Sequence, residues 1–144
     1  MIDATPEQLR DFIRALPRDE YYAQIEDATS AYQQRSMFNV IDLMAGWKID
    51  LIIRKARPFS VEEFNRRQRV VLHGIPLFVA RIEDSVISKL EWAKLAQSRR
   101  QIEDVAAILR ARGNELDSTY LEKWIRELSL EKEWSEARLA AASE

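Results

Sequence analysis

The sequence predicts an α+β fold, with a small antiparallel or mixed sheet in the first half of the chain and a helical segment at its end. Apolar residues recur at helical spacing near the start and throughout the last third of the 144 residues. Between those segments they alternate with polar residues, which is the pattern of a half-buried strand. Strands followed by helices in this order are typical of an α+β domain.

The first element is a helix that begins at Pro6, since proline suits the first position of a helix. Thr5 precedes it as the predicted N-cap, and Gln8 completes a capping box. A short strand over 21–25 and a second helix over 26–34 are predicted to follow.

Two hairpins are predicted in the middle of the chain. An apolar run over 37–43 and an alternating strand over 47–53 form the first, and a loop that ends in glycine joins them. Strands over 70–72 and 75–80 form the second, and a His-Gly turn joins them. Proline inside the last strand favours an edge position, because proline has no N–H group to donate to the ladder.

A short helix over 61–69 is predicted between the two hairpins. Ser60 is its predicted N-cap, and Glu63 completes the capping box.

Helical spacing then continues to the end of the chain. One helix is predicted to begin near Glu83, and a second is closed by Gly113 as its C-terminal cap. Asp117 or Ser118 caps a third helix, which is predicted to extend through residues 134–139.

The composition narrows the function classes. The chain has no cysteine, which excludes disulfides, thiolate catalysis and cysteine zinc sites, and His73 is its single histidine. A net charge of -2 argues against a globally basic nucleic-acid binder. No apolar run approaches the roughly 20 residues of a membrane span, and no secretion signal begins the chain. A cytoplasmic protein without a membrane partner is therefore expected.

One combination of short stretches is informative as a set. It consists of 36–42 (SMFNVID), 47–52 (WKIDLI), Arg57-Pro58-Phe59, Arg66-Arg67 and 82–90 (IEDSVISKL), together with Arg100 and Asp104. This combination resembles bacterial nucleotidyltransferase-fold proteins, including the minimal members related to toxin–antitoxin pairs. The likeness extends over most of the chain, and no single piece carries it.

The resemblance implies a palm like that of DNA polymerase β. In that family a Gly-Ser motif, an Asp-x-Asp/Glu pair and a third carboxylate hold divalent metals that bind the phosphates of an NTP. Asp50 matches the third carboxylate, and Lys48 and Lys89 are the implied phosphate contacts. Mg²⁺ and an NTP are the implied cofactor and substrate if the family activity is retained, and none is expected for the chain alone.

The sequence also departs from the family pattern. The Gly-Ser motif and the Asp-x-Asp/Glu pair are absent, and in the family they precede the helix that here begins at Pro6. Ile2-Asp3 resembles the end of the strand that would carry the pair. The sequence thus resembles a family member that lacks its first strand-helix-strand unit.

Each candidate site residue also has a purely structural interpretation. Asp50 could lie on a solvated sheet face beside Lys48 or an arginine, because one carboxylate cannot hold two Mg²⁺ ions. Lys89 could be an exposed helical lysine. Arg100 and Asp104 are four residues apart, which suits an ion pair on one helix face.

A basic segment lies between the two hairpins. It could meet a triphosphate or a nucleic-acid backbone, but a solvated basic face is the simpler interpretation, so nucleic acid is not the expected partner. Its basic residues, which outnumber two neighbouring acids, are Arg54, Lys55, Arg57, Arg66, Arg67 and Arg69.

An incomplete sheet has a consequence for assembly. It exposes a strand edge, and such edges recruit other strands. A homodimer, or docking on another chain, is therefore expected. Trp124 and Trp134 are the candidate interface residues of the C-terminal helices.

We divide the chain into a nucleotidyltransferase-like core over 1–82 and a helical subdomain over 83–144, joined in one compact unit. Three functions are considered. The first is a protein inactive alone that acts by binding or assembly. The second is an Mg-dependent nucleotidyltransferase whose missing acids come from an upstream segment or a partner. The third is an antitoxin-like binding protein.

Overall fold

The computed structural model describes residues 1–143 and confirms the predicted α+β fold. No helix among these residues is long and apolar enough to cross a bilayer. The helices are α1 (Pro6–Ala15), α2 (Ile25–Gln34), α3 (Pro58–Arg66), α4 (Ile82–Ala96), α5 (Arg99–Arg112), α6 (Ser118–Glu127) and α7 (Glu131–Ala142). The strands are β1 (Tyr21–Tyr22), β2 (Met37–Asp42), β3 (Lys48–Ile52), β4 (Gln68–Leu72) and β5 (Ile75–Val79).

Helix α1 begins as its sequence predicts. Thr5 Oγ1 accepts a hydrogen bond from the N–H of Gln8 at 3.3 Å. In return, the N–H of Thr5 donates to Gln8 Oε1 at 2.9 Å. This capping box is confirmed, and Pro6 occupies the first helical position.

Contacts divide the chain into two units, Met1–Phe64 and a second that begins at Asn65. The first unit contains an antiparallel sheet in the order β1-β2-β3, which confirms the first predicted hairpin. Helices α1 and α2 pack together, and α2 packs on β2. The buried core of this unit comprises Leu9, Ala28, Ala31, Phe38, Val40 and Ile53.

The second unit contains the hairpin of β4 and β5 and the helices α4 to α7. The hairpin is confirmed, and His73 and Gly74 form its turn with φ values of 50° and 80°. Helix α4 packs against α5, α6 and α7, and α5 also packs against α7. The buried apolar residues of these helices include Val86, Ile87, Leu90, Val105, Leu121, Trp124 and Ile125.

The helix between the hairpins begins earlier than its capping signal predicts. Pro58 starts α3, so Ser60 lies inside the helix and is buried. Its hydroxyl accepts a hydrogen bond from Arg57 Nε at 3.0 Å. The predicted Ser60 cap is therefore wrong, because proline at the first position starts the helix two residues sooner.

The predicted extension of the third C-terminal helix through 134–139 is also wrong. Asp117 caps α6 as predicted, but Ser129 takes a left-handed conformation with φ 54°, and a separate α7 follows. Lys94 Nζ donates to the carbonyl oxygens of Leu128 and Ser129 at 3.2 and 2.7 Å. These bonds satisfy carbonyls that a helix end leaves unpaired. Leu130 then turns inward and is 1% exposed.

We predict that this inward turn is a main source of stability in the second unit. Leu130→Ala should lower the free energy of unfolding by about 2–5 kcal/mol, since it leaves a cavity at a fully buried site. Leu139 is 67% exposed. The matched control Leu139→Ala should therefore change stability by less than about 0.5 kcal/mol. Urea unfolding measures both variants, and equal losses would contradict the stabilising burial of Leu130.

Candidate functional site at the outer edge of strand β3

Strand β3 is the last strand of its sheet, and its backbone groups point alternately toward β2 and away from it. The N–H of Asp42 donates to the carbonyl of Trp47, and the N–H of Ile53 donates to that of Ser36. These two bonds fix the alternation along the ladder between them. Residues 47, 49, 51 and 53 therefore bond toward β2, and residues 48, 50 and 52 face the other side.

Ile2 occupies only the far end of this other side. Its N–H donates to the carbonyl of Ile52, and its carbonyl accepts from the N–H of Arg54, both at 2.8 Å. This makes an isolated parallel bridge between Ile2 and Ile53. Within residues 1–143, the N–H groups of 48, 50 and 52 and the carbonyls of 48 and 50 face outward with no strand beside them. We call these groups the outer edge of β3.

The core face of the sheet is exposed at the beginning of β3, although Leu51 on the same face packs against the core. Val40 pairs with Ile49, and opposed residues of a ladder share one face of the sheet. Val40 is 3% exposed, whereas Ile49 is 45% exposed and Trp47, on the same face, is 72% exposed. Apolar side chains of the core face therefore meet solvent next to the outer edge.

Asp50 lies on the opposite face of β3. It pairs with Asn39 across the ladder, and Asn39 Nδ2 donates to Asp50 Oδ1 at 2.6 Å. Lys48 Nζ lies 3.9 Å from the same oxygen. Half of the Asp50 side chain is exposed. The structure thus brings Lys48 and Asp50 together beside the outer edge.

The described residues do not by themselves form the two-metal site that the resemblance implies. Among residues 1–143, no three His, Asp or Glu side chains lie close enough to share an ion. Asp50 supplies one carboxylate, and the neighbouring Lys48 ammonium opposes a second cation there. Two Mg²⁺ ions need more oxygen ligands than this.

Lys89 lies on α4 and is held by α5. Its Nζ donates to Asp104 Oδ2 at 2.6 Å and to Gln101 Oε1 at 3.4 Å. The hydrogen bond and charge of Lys89 lower the pKa of the Asp104 carboxyl. Asp104 thus bonds to another helix, whereas the sequence suggested Arg100, one turn before it, as its ion-pair partner.

The basic residues of the segment between the hairpins fall in both units. Arg54, Lys55 and Arg57 belong to the first unit, where Arg54 forms an ion pair with Asp3 at 2.8 Å. Arg57 bonds to the Ser60 hydroxyl, as described above. These two arginines thus have structural partners in the fold, and Lys55 is exposed.

Arg66, Arg67 and Arg69 belong to the second unit. The guanidinium of Arg67 lies 4.8 Å from the centre of the Phe78 ring, and Arg69 is exposed on β4. Arg66 is instead part of a buried cluster that the sequence patterns did not predict.

That buried cluster is centred on Asp84, whose side chain is fully buried. Arg66 Nε donates to Asp84 Oδ2 at 3.3 Å, and the Tyr120 hydroxyl donates to Asp84 Oδ1. Arg66 also contacts Glu83 Oε2 at 3.4 Å and lies 3.6 Å from the centre of the Tyr120 ring. Burial raises the pKa of the Asp84 carboxyl despite these partners. In the sequence, Asp84 precedes the apolar residues of α4 at helical spacing. This spacing is the signal that could have predicted its burial.

The candidate interface tryptophans lie in different surroundings. Trp124 is 3% exposed and belongs to the core of the second unit, where its ring meets that of Tyr120 edge-on. Trp134 is half-buried and lines a groove of about 530 Å³ with Leu109 and Leu121. The structure therefore leaves Trp134, but not Trp124, at a surface.

Comparison with protein-family models, curated proteins and solved structures found no match for this chain.

We predict that the Asp84 cluster stabilises the second unit through the Tyr120 hydroxyl. Tyr120→Phe removes that donor and leaves a buried carboxylate oxygen unpaired. It should lower the free energy of unfolding by about 1–3 kcal/mol. The control Tyr22→Phe, at an exposed tyrosine, should change it by less than about 0.5 kcal/mol.

Asp84 should also make stability depend on pH. Its pKa is raised in the fold, so the folded protein keeps this proton to a higher pH than the unfolded chain. The contribution of Asp84 is greatest below the unfolded pKa and falls as pH rises through the folded pKa. Asn does not titrate, so the stability of Asp84→Asn relative to wild type should rise with pH above about 4. Urea unfolding across pH measures this, and a constant difference would contradict it.

Proposed function

We propose that this chain is a nucleotidyltransferase-like module that acts by binding, and that the outer edge of β3 takes up a strand of another polypeptide. The observation that carries the proposal is the row of outward N–H and carbonyl groups of Lys48 and Asp50. An extended peptide that adds to a sheet edge satisfies such groups with main-chain hydrogen bonds. An antitoxin-like role is one form of this binding and stays a prediction.

The apolar side chains beside the edge support the same proposal. Trp47 and Ile49 lie on the core face and are exposed, although the same face of β2 is buried. A strand added next to β3 would bring its own side chains alongside them, since strands in a sheet lie about 4.8 Å apart. Main-chain bonds and apolar contact would then act together.

The position of Ile2 limits the length of the added strand. Ile2 bonds to the carbonyl of Ile52, so the free stretch extends from Lys48 to Leu51. A free edge this short favours one specific register of the added strand, whereas a long free edge would accept many strands.

Proline at position 50 tests this proposal directly. The N–H of Asp50 faces away from β2, so Asp50→Pro removes an edge donor and keeps the β2 ladder. A photo-cross-linking residue at position 48, introduced into the protein in its source cells, should capture the polypeptide that occupies the edge. The captured polypeptide, once purified, should bind Asp50→Pro at least about tenfold more weakly than wild type.

Two outcomes of this experiment would contradict the proposal. One is the absence of any cross-linked polypeptide at position 48. The other is equal affinity of wild type and Asp50→Pro for the captured polypeptide. Asp11→Ala is the matched variant, because Asp11 is exposed, and it should bind as wild type does. Asp11→Pro cannot serve as the control, since proline inside α1 would break that helix.

Nucleotidyl transfer is a second candidate, and the position of Asp50 favours it. Its carboxylate lies half exposed beside the outer edge, on the face away from the core. Side chains of an added strand that face the same way would lie about 5 Å from it. Acids on such a strand, from another segment or a partner, would complete the ligand set that these residues lack.

This second candidate requires Asp50 in the reconstituted activity. Transfer of NMP from Mg-NTP is measured with the chain and its captured polypeptide together. Asp50→Asn keeps the shape of the side chain and should reduce transfer by at least about tenfold, since even the outer-shell partners of a metal ligand contribute about tenfold to a hundredfold. Asp11→Asn is the matched control. Unchanged transfer by Asp50→Asn would rule out the metal role of Asp50.

A further inference from the structure

We propose that the strand on the outer edge of β3 is β3 of a second copy of this chain, paired antiparallel about a twofold axis through Ile49. This inference rests on the proposed function, because it names the partner of the same edge. Closed twofold symmetry is the commonest form of homo-oligomer, and it requires a self-complementary surface. The residues of β3 provide one.

The backbone groups match in this register. A twofold axis at Ile49 places Lys48 opposite Asp50 of the partner subunit, and Asp50 opposite Lys48 of the partner subunit. Both residues direct their N–H and carbonyl groups outward. An outward pair in an antiparallel ladder exchanges two hydrogen bonds. The two pairs together therefore satisfy both residues of each copy.

Charge selects this register over its neighbours. Directly opposed side chains share a face, so the register sets a lysine against an aspartate twice. An axis at residue 50 would set two aspartates against each other, and an axis at residue 48 would set two lysines against each other. An axis at residue 51 would need the carbonyl of Ile52, which already accepts from Ile2.

The apolar face matches in the same register. Ile49 meets Ile49 of the partner subunit at a pair whose backbone groups point away from each other, where side chains come closest. Trp47 meets Leu51 of the partner subunit, and the reverse contact repeats it. The exposed apolar side chains of the core face are thus covered by their own copies.

The segments on either side of β3 limit the length of the ladder between the two copies. Beyond Trp47 the partner chain enters Gly46, whose φ of 71° belongs to the turn that leads back to β2. The partner therefore leaves the edge next to Leu51, before the bridge that Ile2 makes with Ile53 through the carbonyl of Ile52. Each copy contributes three strands, so the result is a six-stranded sheet.

A charge-swap series tests the register. Analytical ultracentrifugation over a range of concentrations measures the dimer dissociation constant of the purified chain and its variants. Lys48→Glu sets two acids against each other twice, and Asp50→Lys sets two lysines against each other twice. Each should weaken the dimer by about tenfold or more. The double variant, Lys48→Glu with Asp50→Lys, should regain the wild-type constant within about threefold.

Lys132→Glu and Asp11→Lys are the matched controls, because both positions are exposed and lie outside the sheet. Both should dimerise as wild type does. Circular dichroism confirms that each variant is folded. A wild-type chain that stays monomeric at high micromolar concentration would overturn the inference, as would single variants that dimerise normally or a double variant that does not recover.

The two proposals fail in different ways. A monomeric chain whose position 48 cross-links to another protein overturns the second-copy partner and leaves the edge as a binding site. A chain that neither dimerises nor cross-links at position 48 overturns both. A dimer that survives Asp50→Pro uses another surface and also overturns the inference.

Discussion

The alternation of hydrogen-bond direction along β3 is the constraint on which the candidate site depends. Each strand residue directs its N–H and carbonyl to one side, and β2 satisfies only residues 47, 49, 51 and 53. The backbone N–H and carbonyl groups of Lys48 and Asp50 consequently face outward, whatever conformation their side chains adopt. Natural proteins pair, cover or charge such edges. Here charged side chains and exposed apolar side chains stand on opposite faces of the same short strand.

The exposed apolar side chains lie at the beginning of β3, in the first unit. Helix α2 packs on β2, and Leu51 of β3 still packs against the core, whereas Trp47 and Ile49 on the same face are exposed. Lys48 and Asp50 are neighbours on the face of β3 opposite Ile49. Their side chains can pair there with each other or with the side chains of an added strand. The proposed binding and the proposed metal role of Asp50 therefore depend on the same edge.

Much of the fold could be predicted from local sequence signals. The α1 capping box and both hairpins rest on residues close in sequence, and the alternation over 47–53 placed Asp50 on the face opposite Ile49. The predicted Ser60 cap is wrong for a local reason, since Pro58 starts α3 two residues sooner. The other failures involve distant residues. Lys94 lies 34 and 35 positions from the carbonyls it bonds at the end of α6, and Arg66 finds Asp84 18 positions away. Periodicity carries no information about such pairs. The exposure of Ile49 also could not be predicted from the alternation, because it depends on which elements pack over that face of β3.

Amide hydrogen exchange along β3 tests the central claim most directly. In dilute solution the outward amides of Lys48 and Asp50 should exchange at least about a hundredfold faster than the inward amides of Ile49 and Leu51, since only the inward ones donate within the sheet. Raising the protein concentration, or adding the polypeptide that occupies the edge, should slow the outward amides toward the rate of the inward ones. Outward amides that are already protected in the dilute chain, or that stay fast under both conditions, would contradict the account.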